Sequence, residues 1–192
     1  MDEAAWDERY SGTELVWTAD VNRFVLQECE ALVPGTALDL ACGEGRNAVW
    51  LATQGWSVTA VDWSSVGLAK GAALARSAGV DVEWLHADVL TWEARRVYDL
   101  VLLIYVQLPP ADRHAALRKA GELTAPGGSV LVVAHDATNL HGGVGGPQSA
   151  EVLWTVEEVA LPGFSPVRSE VARRPTAAGD ALDTVVRLIR NG

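Results

Sequence analysis

The segment Ala37-Leu-Asp39-Leu-Ala-Cys42-Gly43-Glu-Gly45-Arg46-Asn47-Ala48 decides how this chain folds. A short apolar run enters it, two glycines one residue apart interrupt it, and a helical pattern leaves it. Strand, glycine turn and helix in that order place a turn at the carboxyl end of a strand, where open α/β sheets bind their ligands. Gly43 and Gly45 let the backbone pass close to a ligand in conformations that a β-carbon forbids. Taken alone, Gly43-x-Gly45-x-x-Ala48 also fits a dinucleotide fingerprint. No Gly-Lys-Ser/Thr is present, which excludes a P-loop site for nucleotide hydrolysis.

The pattern repeats on both sides of that segment. Apolar residues at helical spacing predict a leading helix from Thr18 to Leu32, stopped by Pro34-Gly35. Strands are expected at Thr36–Ala41, Ser57–Asp62 and Val82–Ala87, with helices at Gly45–Gln54 and Ser64–Ala78 between them. Val97–Val106 is apolar on both faces, the mark of a central parallel strand. A helix at Pro109–Leu123 and the turn Ala125-Pro-Gly-Gly128 lead into the strand Ser129–His135. A long glycine-rich loop, Asp136–Ser149, a short helix at Thr155–Leu161 capped by Thr155 and Glu158, and a hairpin of Phe164–Ala172 with Leu182–Ile189 close the chain. Such alternation predicts a single three-layer, doubly wound α/β domain. Its parts are an amino-terminal cover (1–34), a binding core (35–135), and a loop with a carboxyl-terminal hairpin (136–192).

The chain has 192 residues, a formal net charge of −10 and only two lysines, Lys70 and Lys119. An acidic surface repels phosphate backbones, and the pairs Arg95-Arg96 and Arg173-Arg174 lack interleaved aromatics, so nucleic acid is not an expected partner. The acidic amino terminus and the absence of a long apolar run leave a membrane equally unexpected and point to the cytoplasm. Cys29 and Cys42 form neither a disulfide framework nor a Cys-x-x-Cys pair, as suits a reducing compartment.

Two further acids sit at successive strand ends. Asp62 closes the second strand seventeen residues after Gly45, placed to accept from both hydroxyls of a ribose, and Trp63 beside it offers a face to an adenine. Asp88, after the third strand, is placed to accept from an exocyclic amine. Each has a plainer alternative: Asp62 as a cap for the helix at Ser64, Asp88 as a turn cap, Trp63 as packing. Three strand ends in succession favour a binding rim.

Together the segments Asp39-Leu-Ala-Cys-Gly43-Glu-Gly45, Val61-Asp62, Ala87-Asp88-Val89, Tyr98-Asp99-Leu-Val and Pro126-Gly127-Gly128 resemble the motifs of the class I, Rossmann-like S-adenosylmethionine-dependent methyltransferases. Within that family, Gly43-x-Gly45-Arg46-Asn47 and Trp6-x-x-Arg9-Tyr10 are most similar to the small-molecule branch that includes tellurite-resistance and thiopurine methyltransferases. The resemblance implies a seven-stranded, mostly parallel sheet whose last strand, part of a carboxyl-terminal hairpin, is antiparallel, with S-adenosylmethionine bound across the strand ends. Asp39, Gly43 and Gly45 would hold the methionine portion, Asp62 the ribose, Trp63 and Val89 the adenine faces and Asp88 the adenine amine. Arg9 and Arg46 would meet the donor carboxylate, and Tyr10 and Tyr105 would complete the donor set. The implied partner is a small-molecule acceptor, the chain acting as a monomer or homodimer.

For the acceptor side, Tyr105, Gln107, His135, Asp136 and His141 are the candidates, with His135 the best placed acid or base. No metal site is expected, because nothing orients His135, Asp136 and His141 around an ion. Trp6, Tyr10 and Trp17 lie outside the core pattern and, with the loop Gly142–Pro147, are expected to form a lid. The rival readings are a nicotinamide-dependent oxidoreductase, which lacks a Tyr-x-x-x-Lys dyad here, and a non-catalytic donor-binding domain.

Overall fold

The computed structural model describes residues 3–192. Its seven strands are β1 (Thr36–Leu40), β2 (Ser57–Asp62), β3 (Glu83–His86), β4 (Tyr98–Ile104), β5 (Thr124–His135), β6 (Phe164–Thr176) and β7 (Gly179–Arg190). They form one sheet in the order β3-β2-β1-β4-β5-β7-β6. β1 to β5 are parallel, and β7 runs antiparallel to both β5 and β6. The sheet predicted from the sequence is therefore the sheet observed. The direction of strand order reverses between β1 and β4, which makes that junction the switch point where a crevice opens.

Period-two alternation explains the layering. Leu38, Leu40, Val101, Leu103, Val130 and Val132 face one core, while Ala37, Leu100, Leu102, Leu131 and Val133 face the other. Helices α2 (Arg23–Cys29) and α3 (Arg46–Thr53) cover the second face with Phe24, Val25, Cys29 and Leu51. Helix α5 (Pro110–Glu122) covers the first with Ala116, Leu117 and Ala120, beside the buried Trp154, whose indole N–H donates to Val106 O at 3.1 Å. Helix α4 (Ser65–Ala78) packs on α3, β2 and β3. It starts at Ser64, whose hydroxyl accepts from Gly67 N–H, and ends at Gly79 in the left-handed conformation. Asp99, in the fourth sequence motif, lies at the opposite end of the sheet from the crevice and accepts from Thr36 N–H and hydroxyl, both at 2.8 Å. That pins the start of β1, and the Thr36 donors hold the Asp99 carboxyl below the usual range.

Three boundaries differ from expectation. The leading helix is half the predicted length, because Asn22 caps it by accepting from Phe24 and Val25 N–H, which leaves residues 18–22 outside the helix, bent at 19 and 20. Thr155 and Glu158 do form the capping box, yet it closes only a single turn, Val156–Glu158. The strand before the long loop begins earlier than Ser129: Thr124 already pairs with Tyr98, and Ala125–Gly128 bulges out before pairing resumes at Ser129 with Leu100. An additional helix, α1 (Glu3–Tyr10), lies in the cover ahead of the leading helix, and a short α6 (Asn139–Gly142) interrupts the glycine-rich loop. Among the described residues no helix is long and apolar enough to cross a membrane.

Candidate functional site

The carboxyl ends of β1, β2, β4 and β5 and the loop after β3 converge on a cavity of about 520 Å³. Gly43, Gly45, Arg46, Asp62, Trp63, Asp88, Val89, Tyr105, Tyr10 and His135 all line it, so ten of the twelve predicted site residues come together. The two exceptions are Arg9 and Asp39, neither of which lines the cavity. The Arg9 guanidinium lies over the rings of Trp17 and Trp6, 5.2 and 5.6 Å from their centroids.

Backbone strain concentrates at this rim. Ala41 and Tyr105 are the non-glycine residues with positive φ among those described, at 58° and 55°, each directly after a strand on either side of the switch point. Such conformations cost on the order of 1–3 kcal/mol and persist where surrounding structure enforces them, commonly at functional sites. Gly43 and Gly45 supply two more left-handed positions, at 56° and 74°.

The glycine turn is held by the acid that follows it in space. Asp62 accepts from Gly43 N–H at 2.7 Å through one oxygen and from Ser64 N–H at 2.8 Å through the other. Burial pushes its carboxyl up, against the pull of those two donors. The plainer alternative for Asp62 is thus present, and it coexists with a place on the cavity wall, since each carboxylate oxygen has a second lone pair. Asp88 likewise accepts from Leu90 N–H at 2.9 Å through one oxygen and faces the cavity.

Two titratable groups beside the turn are poorly satisfied by hydrogen bonds among the described residues. Asp39 is buried in β1, and neither of its carboxylate oxygens has a hydrogen-bond partner among the described residues. Burial, reinforced by the nearby Asp62 carboxylate, raises its pKa to about 7. Arg46, half-buried at the cavity, donates among the described residues only to the Thr18 hydroxyl, at 3.4 Å. Desolvation lowers its pKa. An unpaired acid and an unpaired base flanking one turn complement the ammonium and carboxylate of an amino-acid head group.

Residues that the sequence reading passed over close the cavity. Glu44, between the two glycines and 4 % exposed, accepts from Val16 and Trp17 N–H at 3.1 Å and pairs with Lys70 at 3.0 Å. Lys70 also donates to Glu14 O. Asn47 accepts from Asn22 N–H at 2.9 Å. The glycine turn therefore ties down the segment that bears Leu15 to Asn22, which roofs the cavity together with Trp6 and Tyr10. Glu44→Gln keeps the shape and weakens the clasp on all three donors. We expect proteolysis near residues 11–20 to accelerate about tenfold, as loss of charge-assisted bonds worth 1–3 kcal/mol implies; unchanged cleavage would show that the roof is held elsewhere.

On the acceptor side, the rings of His135 and Tyr105 lie 4.6 Å apart between centroids, tilted by 36°, and Gln107 completes the rim. Asp136 is buried, accepting from Thr138 and from the Thr184 hydroxyl, and His141 is exposed on α6, so of that trio only His135 reaches the cavity. The glycine-rich loop does not line the cavity; Asn139 ties it to β7 through Leu182 N–H. A further group was missed entirely: Asp183 of β7, fully buried, accepts from the Tyr105 hydroxyl at 2.9 Å and from Arg174 Nε at 2.6 Å. Its only signal in the sequence is an acid set between the apolar residues Leu182 and Val185-Val186 of that strand.

The sequence model of the family described as "Methyltransferase domain" matches residues 37–128. An uncharacterized methyltransferase of Mycobacterium tuberculosis is 35% identical over 132 residues, 67% of this chain and 65% of that relative. The matched stretch thus spans just under two thirds of that relative's length. Thiocyanate methyltransferase 1 of Arabidopsis thaliana is 29% identical over 170 residues, covering 86% of this chain and 70% of the plant protein. Among solved structures, the N-methyltransferase NodS of Bradyrhizobium japonicum bound to S-adenosylhomocysteine superposes with a TM-score of 0.74 at 15% identity, over 99% of this chain and 98% of that one.

Proposed function

We propose that the chain is a class I, Rossmann-like S-adenosylmethionine-dependent methyltransferase that transfers a methyl group from S-adenosylmethionine to a small-molecule acceptor, a reading that the match to the methyltransferase family model and the methyltransferase relatives support. The observation that carries this reading is Arg46, Asp62 and Asp88 on one cavity rim, with Asp39, whose carboxyl has no hydrogen-bond partner among the described residues, buried in β1 beside the glycine turn. A nicotinamide dinucleotide brings two phosphates to such a turn, and an orphaned buried carboxylate there would oppose them. A cationic sulfonium carrying an amino-acid head group suits it.

When bound, S-adenosylmethionine supplies an electrophilic methyl group that an acceptor displaces directly. The protein's share is positioning, water exclusion and charge control. Arg46 would meet the donor carboxylate, and Asp39 acts from beneath the turn through its field. Asp62 would take the ribose hydroxyls, Asp88 the adenine amine, and Trp63 and Val89 the ring faces. Arg9 would stiffen the roof through Trp6 and Trp17. The apolar wall of Ile104, Val106 and Leu108 beside Tyr105 and His135 would receive the acceptor. A soft or aromatic nucleophile suits that wall, and the thiocyanate-directed relative agrees with it. We place the work in the cytoplasm, a reading that the two free thiols, Cys29 and Cys42, support.

Calorimetry with S-adenosylmethionine, S-adenosylhomocysteine and NAD tests this; binding of NAD alone would overturn it. The Asp39 carboxyl adds a signature. In the free protein it is about half protonated near pH 7, and a ligand cation close by lowers its pKa, so binding releases about half a proton at pH 7 and essentially none above about pH 8.5. Donor affinity should accordingly rise from pH 6 to pH 8. Heats measured in buffers of different ionisation enthalpy report the release directly, and Asp39→Asn should abolish it.

A further inference from the structure

At the acceptor end of the cavity, His135 is held more firmly than a packing residue requires. Its Nδ1 stands 3.3 Å from Asp183 Oδ1. Both atoms are buried and neither makes a hydrogen bond of good geometry among the described residues, so each faces, at 3.3 Å, a group that could satisfy it. Asp183 Oδ2 is already taken by two donors, the Tyr105 hydroxyl and Arg174 Nε. Those donors, together with His135, hold the carboxyl below its usual value although burial opposes them, so it is ionised and can only accept. The imidazole ring is clamped as well. Tyr105 lies tilted against one side, and Gly146 of the glycine-rich loop closes another, where a β-carbon would lie 3.0 Å from Nδ1. A ring proton on Nδ1 would satisfy both that nitrogen and Asp183 Oδ1, and it would leave Nε2 bare on a ring that lines the cavity.

We propose that Asp183 positions His135 as a neutral Nδ1–H imidazole whose Nε2 removes a proton from the methyl acceptor, so that the substrate class is protic: a thiol, phenol or hydroxyl compound bound as its neutral form. This rests on the methyl-transfer reading above. In the step, the acceptor's X–H bond breaks and an Nε2–H bond forms. The electron pair left on X forms the bond to the methyl carbon, and the pair of the broken sulfur–carbon bond stays on sulfur. Nε2 then returns its proton to solvent. The imidazolium formed in between is balanced by the Asp183 carboxylate, itself anchored by Arg174. His135 is the catalytic residue, and Asp183 is a positioning residue.

The test reads the tautomer, not turnover. Long-range ¹H–¹⁵N correlation spectra of the full chain with ¹⁵N-labelled histidine, unliganded and at about pH 8, distinguish a protonated from a bare ring nitrogen. The chain has four histidines, and His135→Gln assigns the relevant signals by their loss. The parent should show Nδ1 protonated and Nε2 bare. In Asp183→Asn the amide oxygen must face Tyr105 and Arg174, both donors, so the amide NH₂ faces His135 and donates to Nδ1. The ring then inverts to the Nε2–H form and its base is lost, the logic by which an Asp-to-Asn change disables a catalytic histidine elsewhere. Retained donor binding shows that the variant is folded. A parent in the Nε2–H form, an unchanged tautomer in folded Asp183→Asn, or methylation confined to anions such as thiocyanate would each overturn the proposal. If the variant does not fold, the parent spectrum decides alone. Failure of the methyl-transfer reading appears separately, as absence of donor binding in calorimetry.

Discussion

Replacing Gly45 by alanine should destabilise the protein by about 2–6 kcal/mol and abolish measurable donor binding, the sum of two costs that each run to about 1–3 kcal/mol. Gly45 adopts φ of 74°, which strains any residue with a β-carbon. The new carbon would also stand 2.6 Å from Cζ3 of Trp84, the β3 side chain wedged against the turn. Trp84 has nowhere to retreat, because Gly71 of α4 flanks it too: a β-carbon at Gly71 would lie 2.6 Å from Cη2 of the same ring. Relief must come from the turn itself, which carries Gly43, Glu44 and Arg46. For a chain of this size, thermal unfolding should shift down by roughly 10 °C or more. Gly79→Ala supplies the control, since that residue has φ of 68° and open space around its would-be β-carbon. It should cost only about 1 kcal/mol, from backbone strain alone. Equal losses in the two variants would show that the tryptophan wedge carries no energy.

That wedge also shows what a sequence conceals. The glycine turn is legible because its signal is local: a strand pattern, two glycines and a helix pattern in immediate succession. Asp62 and Asp88 are legible for a related reason. In a parallel sheet every strand delivers its last residue to the same edge, so acids at successive strand ends must share a rim. Trp84 gives no such clue, because its fit against Gly45 and Gly71 depends on how α3 and α4 pack together over β3.

The same contrast separates the predicted site residues from the missed ones. Glu44 is bound to Val16 and Trp17, 28 and 27 residues away, and Asp183 to Tyr105, 78 residues away. Both are buried acids whose partners only the folded sheet supplies. The over-long leading helix has its own cause. Val21 fits the helical spacing of Phe24 and Val25 but lies on the roof of the cavity, so an apolar residue serving a ligand site was counted as core. Arg9 went astray through charge: near the end of α1 its guanidinium found two tryptophan faces rather than a site for an anion.

Asp62→Ala is expected to weaken S-adenosylmethionine binding by roughly 10- to 100-fold, since a ribose hydroxyl pair left without its buried acceptor costs about 1–3 kcal/mol. The difficulty is that Asp62 has two occupations. It also holds Gly43 and Ser64 N–H, and removing it leaves two buried donors unpaired, a loss of stability of about 2–4 kcal/mol by the same reckoning. Weaker binding alone would therefore not separate contact with the ribose from collapse of the turn. A cycle on both partners does. S-adenosylhomocysteine and its 2′-deoxy analogue are compared on the parent and on the variant by calorimetry. If Asp62 accepts from that hydroxyl, deleting it costs affinity on the parent and almost nothing on Asp62→Ala, where the acceptor is already gone. If Asp62 acts only by shaping the turn, the deoxy analogue loses the same factor on both proteins. The ribose would then have to be held from elsewhere on the rim, and Asp62 would remain a support for Gly43 and nothing more.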